Sequence, residues 1–354
     1  MGSTESQKLQ SPLVSVIILN YNGRTALVKS IFETCLASVF ENDYTNFEVL
    51  FVDNGSSDDS IDFVHKKFGN DQRLKIIENG KNLGFAEGNN AALPYVKGKY
   101  LLFLNNDAIV DRGFLKELVE TMESDGTIGV CGCKESRGSV GMCCDIYGFP
   151  IPRFNASEKI FYVPGWALLT RHEIISKIGA FDSKYFSFVE DFDLCWRVLL
   201  AGYQIVVNPN AVAYHFGGGT LKAEGITDSE LGMELHFSVK RISFFERNMI
   251  RTLLKNYSTG KLLSILPRYF SLFLIESFVF LFLGGVSTFQ DIYVRAIRWN
   301  IQNFRDTWLL HAEIQQMRKV NDDIIQKSML KGNTRIQYYK KLLQKGVPKL
   351  VYKK

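Results

Sequence analysis

Val14-Ser15-Val16-Ile17-Ile18-Leu19-Asn20-Tyr21-Asn22 passes from an apolar run into a polar end, and that junction decides the fold. The run is too short to cross a membrane and rich in β-branched residues, so it reads as a buried strand. Phe47-Glu48-Val49-Leu50-Phe51-Val52 repeats the pattern and ends at Asp53-Asn54-Gly55-Ser56-Ser57-Asp58. Leu74-Lys75-Ile76-Ile77 is a third strand, and Tyr100-Leu101-Leu102-Phe103-Leu104 a fourth, ending at Asn105-Asn106-Asp107. Between the first two, residues 25–37 carry helical apolar spacing. Strand and helix in alternation predict an α/β fold with a mostly parallel central sheet covered on both faces. Ligands in such sheets sit beyond the carboxyl ends of the strands. Three polar strand ends facing one crevice are therefore a candidate site.

A second cluster lies downstream, in Glu190-Asp191-Phe192-Asp193-Leu194-Cys195-Trp196-Arg197, with Gly202 shortly after. Three carboxylates opening an apolar-periodic run predict the first turn of a helix, closed by the glycine. Asp193 and Arg197 are spaced as an i,i+4 pair, which assigns Asp193 to holding the helix. Glu190 and Asp191 remain at the loop–helix junction. There they can serve the helix dipole, or project into a cleft as a base.

Read in order, several segments resemble glycosyltransferase family 2, an inverting family with the nucleotide-binding GT-A fold. They are Val14 through Gly23, Val52-Asp53-Asn54-Gly55-Ser56-Ser57-Asp58, Asn82-Leu83-Gly84-Phe85-Ala86-Glu87-Gly88-Asn89-Asn90 and Leu104-Asn105-Asn106-Asp107. Pro164-Gly165-Trp166-Ala167, Ile178-Gly179-Ala180-Phe181-Asp182, Glu190 through Arg197, Ala201-Gly202-Tyr203 and His215 follow. Each is a weak match and the ordered series is specific. The likeness covers roughly residues 12–220 and is nearest the rhamnosyltransferase-type branch.

The resemblance implies transfer of a sugar from a nucleotide-diphosphate sugar to a hydroxyl of a saccharide acceptor. It places the donor on Asn20, Asp53, Asn54, Asn82, Gly84, Asn89, Asn106 and Asp107, and the acceptor near Gly165 and Trp166. Breaking the bond to the diphosphate builds charge on the leaving oxygen, so magnesium or manganese is expected. The family's Asp-x-Asp metal motif corresponds to Asn105-Asn106-Asp107, which leaves Asp107 as its one carboxylate, and His215 matches a histidine that completes the site. The acceptor hydroxyl must lose a proton, which the resemblance assigns to the Glu190-Asp191 pair, with Asp191 favoured. Two other readings are a sugar nucleotidyltransferase and a catalytically silent carbohydrate- or lipid-binding relative. The first wants a Gly-rich basic phosphate loop where Asn20-Tyr21-Asn22-Gly23-Arg24 stands. The second draws on Asn105 in the place of the first aspartate, and retention of Asp107, Glu190, Asp191 and His215 speaks against it.

The chain of 354 residues divides, on this reading, into a flexible 1–11, a catalytic domain at 12–224 and a helical region at 225–354. Residues 318–354 hold eleven Lys and Arg against two Asp, a net +9 that leaves −4 for the rest of a +5 chain. Just before them, 262–286 is apolar and approaches spanning length, with Glu276 near its middle, where an ionisable group is costly in lipid. It can span, pack on the catalytic domain, or lie in the interface. Ser264, Arg268 and Ser271 on one face favour the interface. The expected location is the cytoplasmic face of a membrane, peripheral or monotopic, with a lipid-linked or oligosaccharide acceptor and no nucleic-acid partner. Cys131, Cys133, Cys143 and Cys144 do not follow a common zinc spacing and read as reduced thiols.

Overall fold

The computed structural model describes residues 11–25, 28–217, 238–337 and 340. The strands are β1 (Val14–Asn20), β2 (Phe47–Asp53), β3 (Leu74–Glu78), β4 (Tyr100–Asn105), β5 (Ala108–Val110) and β6 (Ile128–Glu135). They continue with β7 (Gly141–Cys144), β8 (Pro150–Arg153), β9 (Ala167–Arg171) and β10 (Gln204–His215). Eight of them form one sheet in the order β3-β2-β1-β4-β9-β6-β10-β5, while β7 and β8 pair separately. The four expected strands are its parallel half; β9 runs antiparallel to both β4 and β6, and β5 antiparallel to β10.

Both faces of that half are covered, which is why its strands are continuous apolar runs rather than alternating ones. Val14, Val16, Ile18, Val49, Phe51, Leu102 and Leu104 join one core, and Ile17, Leu50, Val52, Leu101 and Phe103 the other. At about 1.5–3 kcal/mol for each large apolar side chain withdrawn from water, these positions also lock the register. The helices begin with α1 (Lys29–Phe40), whose Phe32, Cys35, Leu36 and Val39 are buried at helical spacing. It starts later than the expected 25–37 because the residues after β1 form a turn. Asn22 adopts φ 53, and the Arg24 amide donates to Asp58. α2 (Ser60–Phe68), α3 (Gly84–Asn90), α4 (Phe114–Ser124), α5 (His172–Ile178) and α6 (Glu190–Leu200) follow. The acid cluster opens α6 and Gly202, at φ 88, follows its end, as expected.

Beyond the sheet come α7 (Val239–Asn256), α8 (Thr259–Phe289), α9 (Arg295–Gln302), α10 (Phe304–Met317) and α11 (Asp322–Lys327). Their Leu253, Tyr257, Tyr269, Ile292 and Ile314 belong to the same apolar cluster as Phe103, Leu168 and Trp196 of the sheet and α6. Gly285, at φ 74, kinks α8, and a π-helical turn at Gln290–Val294 carries the chain into α9. One face of α8 is buried through Leu262, Ile265, Tyr269, Phe273, Glu276 and Phe280. Glu276, expected to be a liability in lipid, faces inward and meets the Arg335 guanidinium. The outward face is polar at Ser264, Arg268 and Ser271, then apolar at Leu274, Ile275, Phe278 and Phe282, the last 86% exposed.

All six cysteines are buried free thiols. Burial pushes the Cys35 and Cys131 thiols up to about 12, so these two are inert core residues at neutral pH. The residues 1–10 of the flexible start, the 224/225 division and the end of the basic tail at 341–354 lie outside the described residues.

Candidate active site

The register of the parallel strands brings their polar ends together. Asn20 is the partner of Asp53 across β1 and β2, and Leu19 the partner of Asn105 across β1 and β4. Asn20 is buried; its amide donates to Asp53 Oδ1 (3.1 Å) and Ser56 Oγ (3.0 Å), and its carbonyl accepts from Asn106 Nδ2 (2.9 Å). Asp53 Oδ2 accepts the backbone amides of Gly55 (3.0 Å) and Ser56 (2.9 Å). Asn54 donates to Asn82 Oδ1 and the Gly84 carbonyl, both at 3.1 Å. It accepts from Asn79 (3.1 Å) and the Leu83 amide (3.0 Å). Asn89 donates to the Phe85 carbonyl at 2.9 Å.

The asparagines expected to hold a donor thus form a mutually bonded lattice that shapes three loops. Gly84 and Gly88 leave no room for a ligand's approach. The close neighbours are the protein's own: a Cβ on Gly84, at φ +82, would stand 2.3 Å from the Phe186 carbonyl, and one on Gly88 2.8 Å from Leu19. The segment expected as a pocket loop is, from Gly84 on, helix α3.

The far side of the crevice is different. Antiparallel pairing of β5 with β10 sets His215 opposite Ala108, and so beside Asp107. His215 Nε2 lies 3.2 Å from Asp107 Oδ1. That oxygen is buried and has no hydrogen bond among the described residues. A buried carboxylate oxygen left without a donor and aimed at a ring nitrogen fits a shared divalent cation, for which carboxylate and imidazole are suitable ligands. No three His, Cys, Asp or Glu side chains converge among the described residues. The His215 ring stacks flat on Trp166, centroids 4.7 Å apart and planes 6° apart. Sequence reasoning gave Trp166 to the acceptor; the structure puts it against the candidate metal ligand.

Gly165, its neighbour, reaches the acid helix. Its amide donates to Asp191 Oδ2 at 2.8 Å, and the Phe192 amide donates to Oδ1 at 2.7 Å. One dipeptide therefore touches both the Asp107–His215 pair and the carboxylate at the start of α6. Asp191 is half-buried, whereas Glu190 is buried and its Oε2 carries no hydrogen bond among the described residues. Burial raises the Asp191 carboxyl above its ordinary range, against the pull of the Gly165 and Phe192 amides. Burial, and then the charge of Asp191, raises Glu190 much further. Both carboxyls therefore hold a proton more tightly than an ordinary carboxyl group, Glu190 the more so.

Asp193 is wholly buried and bonded to Arg197 Nε (3.0 Å), Lys255 Nζ (3.0 Å) and Asn256 Nδ2 (3.1 Å). It holds the helix, as its spacing from Arg197 suggested. Sequence reasoning missed the partners from α7. It also missed the left-handed backbone of Phe188 and Val189, at φ 71 and 74, for which a non-glycine sequence carries no signal.

Residues 15–142 match the family model described as Glycosyl transferase family 2. An uncharacterized glycosyltransferase of Haemophilus influenzae is 31% identical over 121 residues, which are 34% of this chain and 36% of that protein's length. S. aureus TarS 1–349 in complex with UDP-GlcNAc aligns at TM-score 0.53 and 18% identity, covering 89% of this chain and 90% of that one. The mannosyltransferase PcManGT from Pyrobaculum calidifontis, in complex with GDP-Man and Mn2+, aligns at 0.52 and 17% identity, covering 87% and 86%. Likeness at such identities establishes the fold, which is GT-A. Residues 15–142, with the strand ends that begin the crevice, carry the glycosyl transferase family 2 match within this GT-A fold.

Proposed function

We propose that the protein is an inverting glycosyltransferase that moves a sugar from a nucleotide-diphosphate sugar to a hydroxyl of a saccharide acceptor. The observation that carries this reading is the Gly165-Trp166 dipeptide, which joins a candidate cation pair to a candidate base. The strand-end asparagines, Asp53 and the Asn82–Gly84 turn form the donor wall. Asp107 and His215 would hold magnesium or manganese; when bound, the cation offsets charge on the departing diphosphate. Trp166 keeps the His215 ring in place by stacking. Asp191 accepts the acceptor's proton through an oxygen of its carboxylate, and its raised affinity for a proton suits it to that work. Glu190, buried beside it, holds a proton more tightly still. Attack from the Asp191 side, opposite the diphosphate, inverts the anomeric centre in one displacement.

The acceptor in this reading is a lipid-linked saccharide presented at the cytoplasmic face of a membrane, on which the protein sits peripherally. Supporting this is the outward apolar face of α8, which continues into a groove of about 410 Å³ between α8 and α9, lined by Phe273, Leu274, Tyr293, Ile297 and Ile301. Arg298 lines the groove, with Arg268 and Arg295 exposed nearby on the same helices, so the surface is complementary to anionic headgroups. One helix among the described residues is long and apolar enough to cross a membrane; its inward-facing Glu276 and outward Arg268 favour lying in the interface.

The test is Asp191→Asn, assayed for nucleotide-sugar turnover with membrane lipid extract. Loss of a general base predicts a fall of about 10³-fold in transfer with nucleotide affinity unchanged. If Glu190→Gln is the inactive variant and Asp191→Asn retains turnover, the base assignment fails.

A further inference from the structure

α7 turns a polar stripe inward. Asn248, Arg251, Thr252, Lys255 and Asn256 recur at i, i+3, i+4, i+7 and i+8, one face of a helix, and none is more than 2% exposed. All five bond to the stretch that leads into the acid helix and to its first turn. Arg251 and Lys255 meet Asp182, Thr252 meets the Tyr185 hydroxyl at 2.7 Å, and Lys255 and Asn256 meet Asp193. Asn248 Nδ2 donates to two consecutive carbonyls, Ser187 at 2.9 Å and Phe188 at 2.7 Å. Its Oδ1 accepts from Arg247 Nε at 2.9 Å.

Those carbonyls border the left-handed pair. Phe188 and Val189 sit at φ 71 and 74, and for a β-branched residue this region is a marked outlier. Such backbone persists only where its surroundings over-determine it. Val189 is also the N-cap of α6, so its dihedrals set the direction in which Glu190 and Asp191 leave the loop. Two partly buried carbonyls at this bend take the Asn248 amide as donor, and an apolar residue at 248 would leave both without it.

We propose that Asn248 is a positioning residue: by holding the Ser187 and Phe188 carbonyls it fixes the left-handed turn and aims Asp191 at the acceptor hydroxyl. This rests on the reading of Asp191 as the base. It assigns a part in the reaction to a helix that lies outside the family-matched residues 15–142.

The experiment uses the full chain and crosses Asn248→Ala with Val189→Gly, since glycine adopts positive φ without a clamp. A base displaced by about 1 Å predicts that Asn248→Ala lowers kcat about 100-fold while donor KM stays within about threefold. In the Val189→Gly background the same substitution should cost less than about tenfold, and it should lower the melting midpoint less than it does alone. Should Asn248→Ala fail to fold, Asn248→Ser, which keeps one donor, carries the comparison. An unchanged kcat, or equal losses of kcat and melting midpoint in both backgrounds, overturns the proposal. If the midpoints couple but the wild-type chain turns over no nucleotide sugar, the clamp stands and the glycosyltransferase reading fails.

Discussion

Two polar networks flank the candidate active site, and they are built from different chemistry. At the ends of β1, β2 and β4 the members are mostly neutral amides and hydroxyls, with Asn20 bonded to Asn106 and Ser56, and Asn54 to Asn82. Against α7 the neutral Asn248, Thr252 and Asn256 are joined by charged members: Asp182, Asp193, Arg197, Arg251 and Lys255. Neutral hydrogen bonds contribute about 0.5–1.5 kcal/mol each and exchange readily with ligand groups of the same kind. Buried charges do not exchange so cheaply, because any one left without its partner is penalised by several kcal/mol. The crevice wall is therefore suited to rearranging around a donor, and the α7 seam to holding the Asp191 loop still while it does.

Breaking the seam should have the largest effect on the folded state. Asp182 accepts from Arg251 Nε and Lys255 Nζ, both at 2.7 Å. Burial alone would raise its carboxyl, but Lys255 and Arg251 overcome this and hold it far below the ordinary carboxylate range. Asp182→Asn should cost about 3 kcal/mol, the low end for a broken buried pair, because Arg251 keeps Asp306 and Lys255 keeps Asp193. A depressed folded pKa means this stabilisation is complete above the unfolded value, near 3.9, and is lost as pH falls through the folded one. Wild type and Asp182→Asn should thus differ most at neutral pH and converge on acidification below about pH 4 in urea titrations. A gap that stays constant down to pH 2 would show that the seam is held by shape rather than charge.

The sequence carried the crevice and concealed the seam for one physical reason. A strand end is announced locally, by an apolar run giving way to Asp53-Asn54-Gly55 or Asn105-Asn106-Asp107, and parallel register does the rest. The i,i+4 pair Asp193–Arg197 was legible on the same ground. A stripe of Asn248, Arg251, Lys255 and Asn256 reads as a solvated helix face until its partners are known, and those lie about sixty residues away. Glu276 was read as costly in lipid because Arg335, its partner, follows 59 residues later. The stacking of Trp166 on His215 depends on how β9 and β10 emerge from the sheet, which no local pattern encodes.

The cation pair sharpens the comparison on the crevice side. Asp107→Ala should lower turnover about 100-fold, as a loss of several kcal/mol of charge stabilisation implies, and excess chelator should abolish it until manganese or magnesium is restored. Trp166→Leu leaves both ligating groups in place and loosens only the ring, so a smaller loss of about tenfold, met by raised manganese, is expected. Full activity in chelator would remove the cation from the account. Equal losses for Asp107→Ala and Trp166→Leu, neither answering to manganese, would make the stack a packing feature.

The smallest effect should come from the outer side of the helical region, where the seam's opposite face meets solvent. Phe278, Phe282 and Val286 are exposed on the apolar half of α8. Their replacement should leave folding untouched, unlike any change at the α7 stripe. A phenylalanine withdrawn from water contributes about 1.5–3 kcal/mol, and one partly inserted at an interface somewhat less. Phe282→Ser should therefore weaken binding to vesicles containing anionic lipid roughly tenfold, with an unchanged melting midpoint. High salt should weaken wild type and variant alike, because it screens Arg268, Arg295 and Arg298 and not the apolar contact. Vesicle sedimentation at low and high salt separates the two contributions. A wild-type chain that binds no vesicle at low salt, and self-associates through this face instead, would replace the lipid surface with a second copy of the protein and leave the seam argument intact.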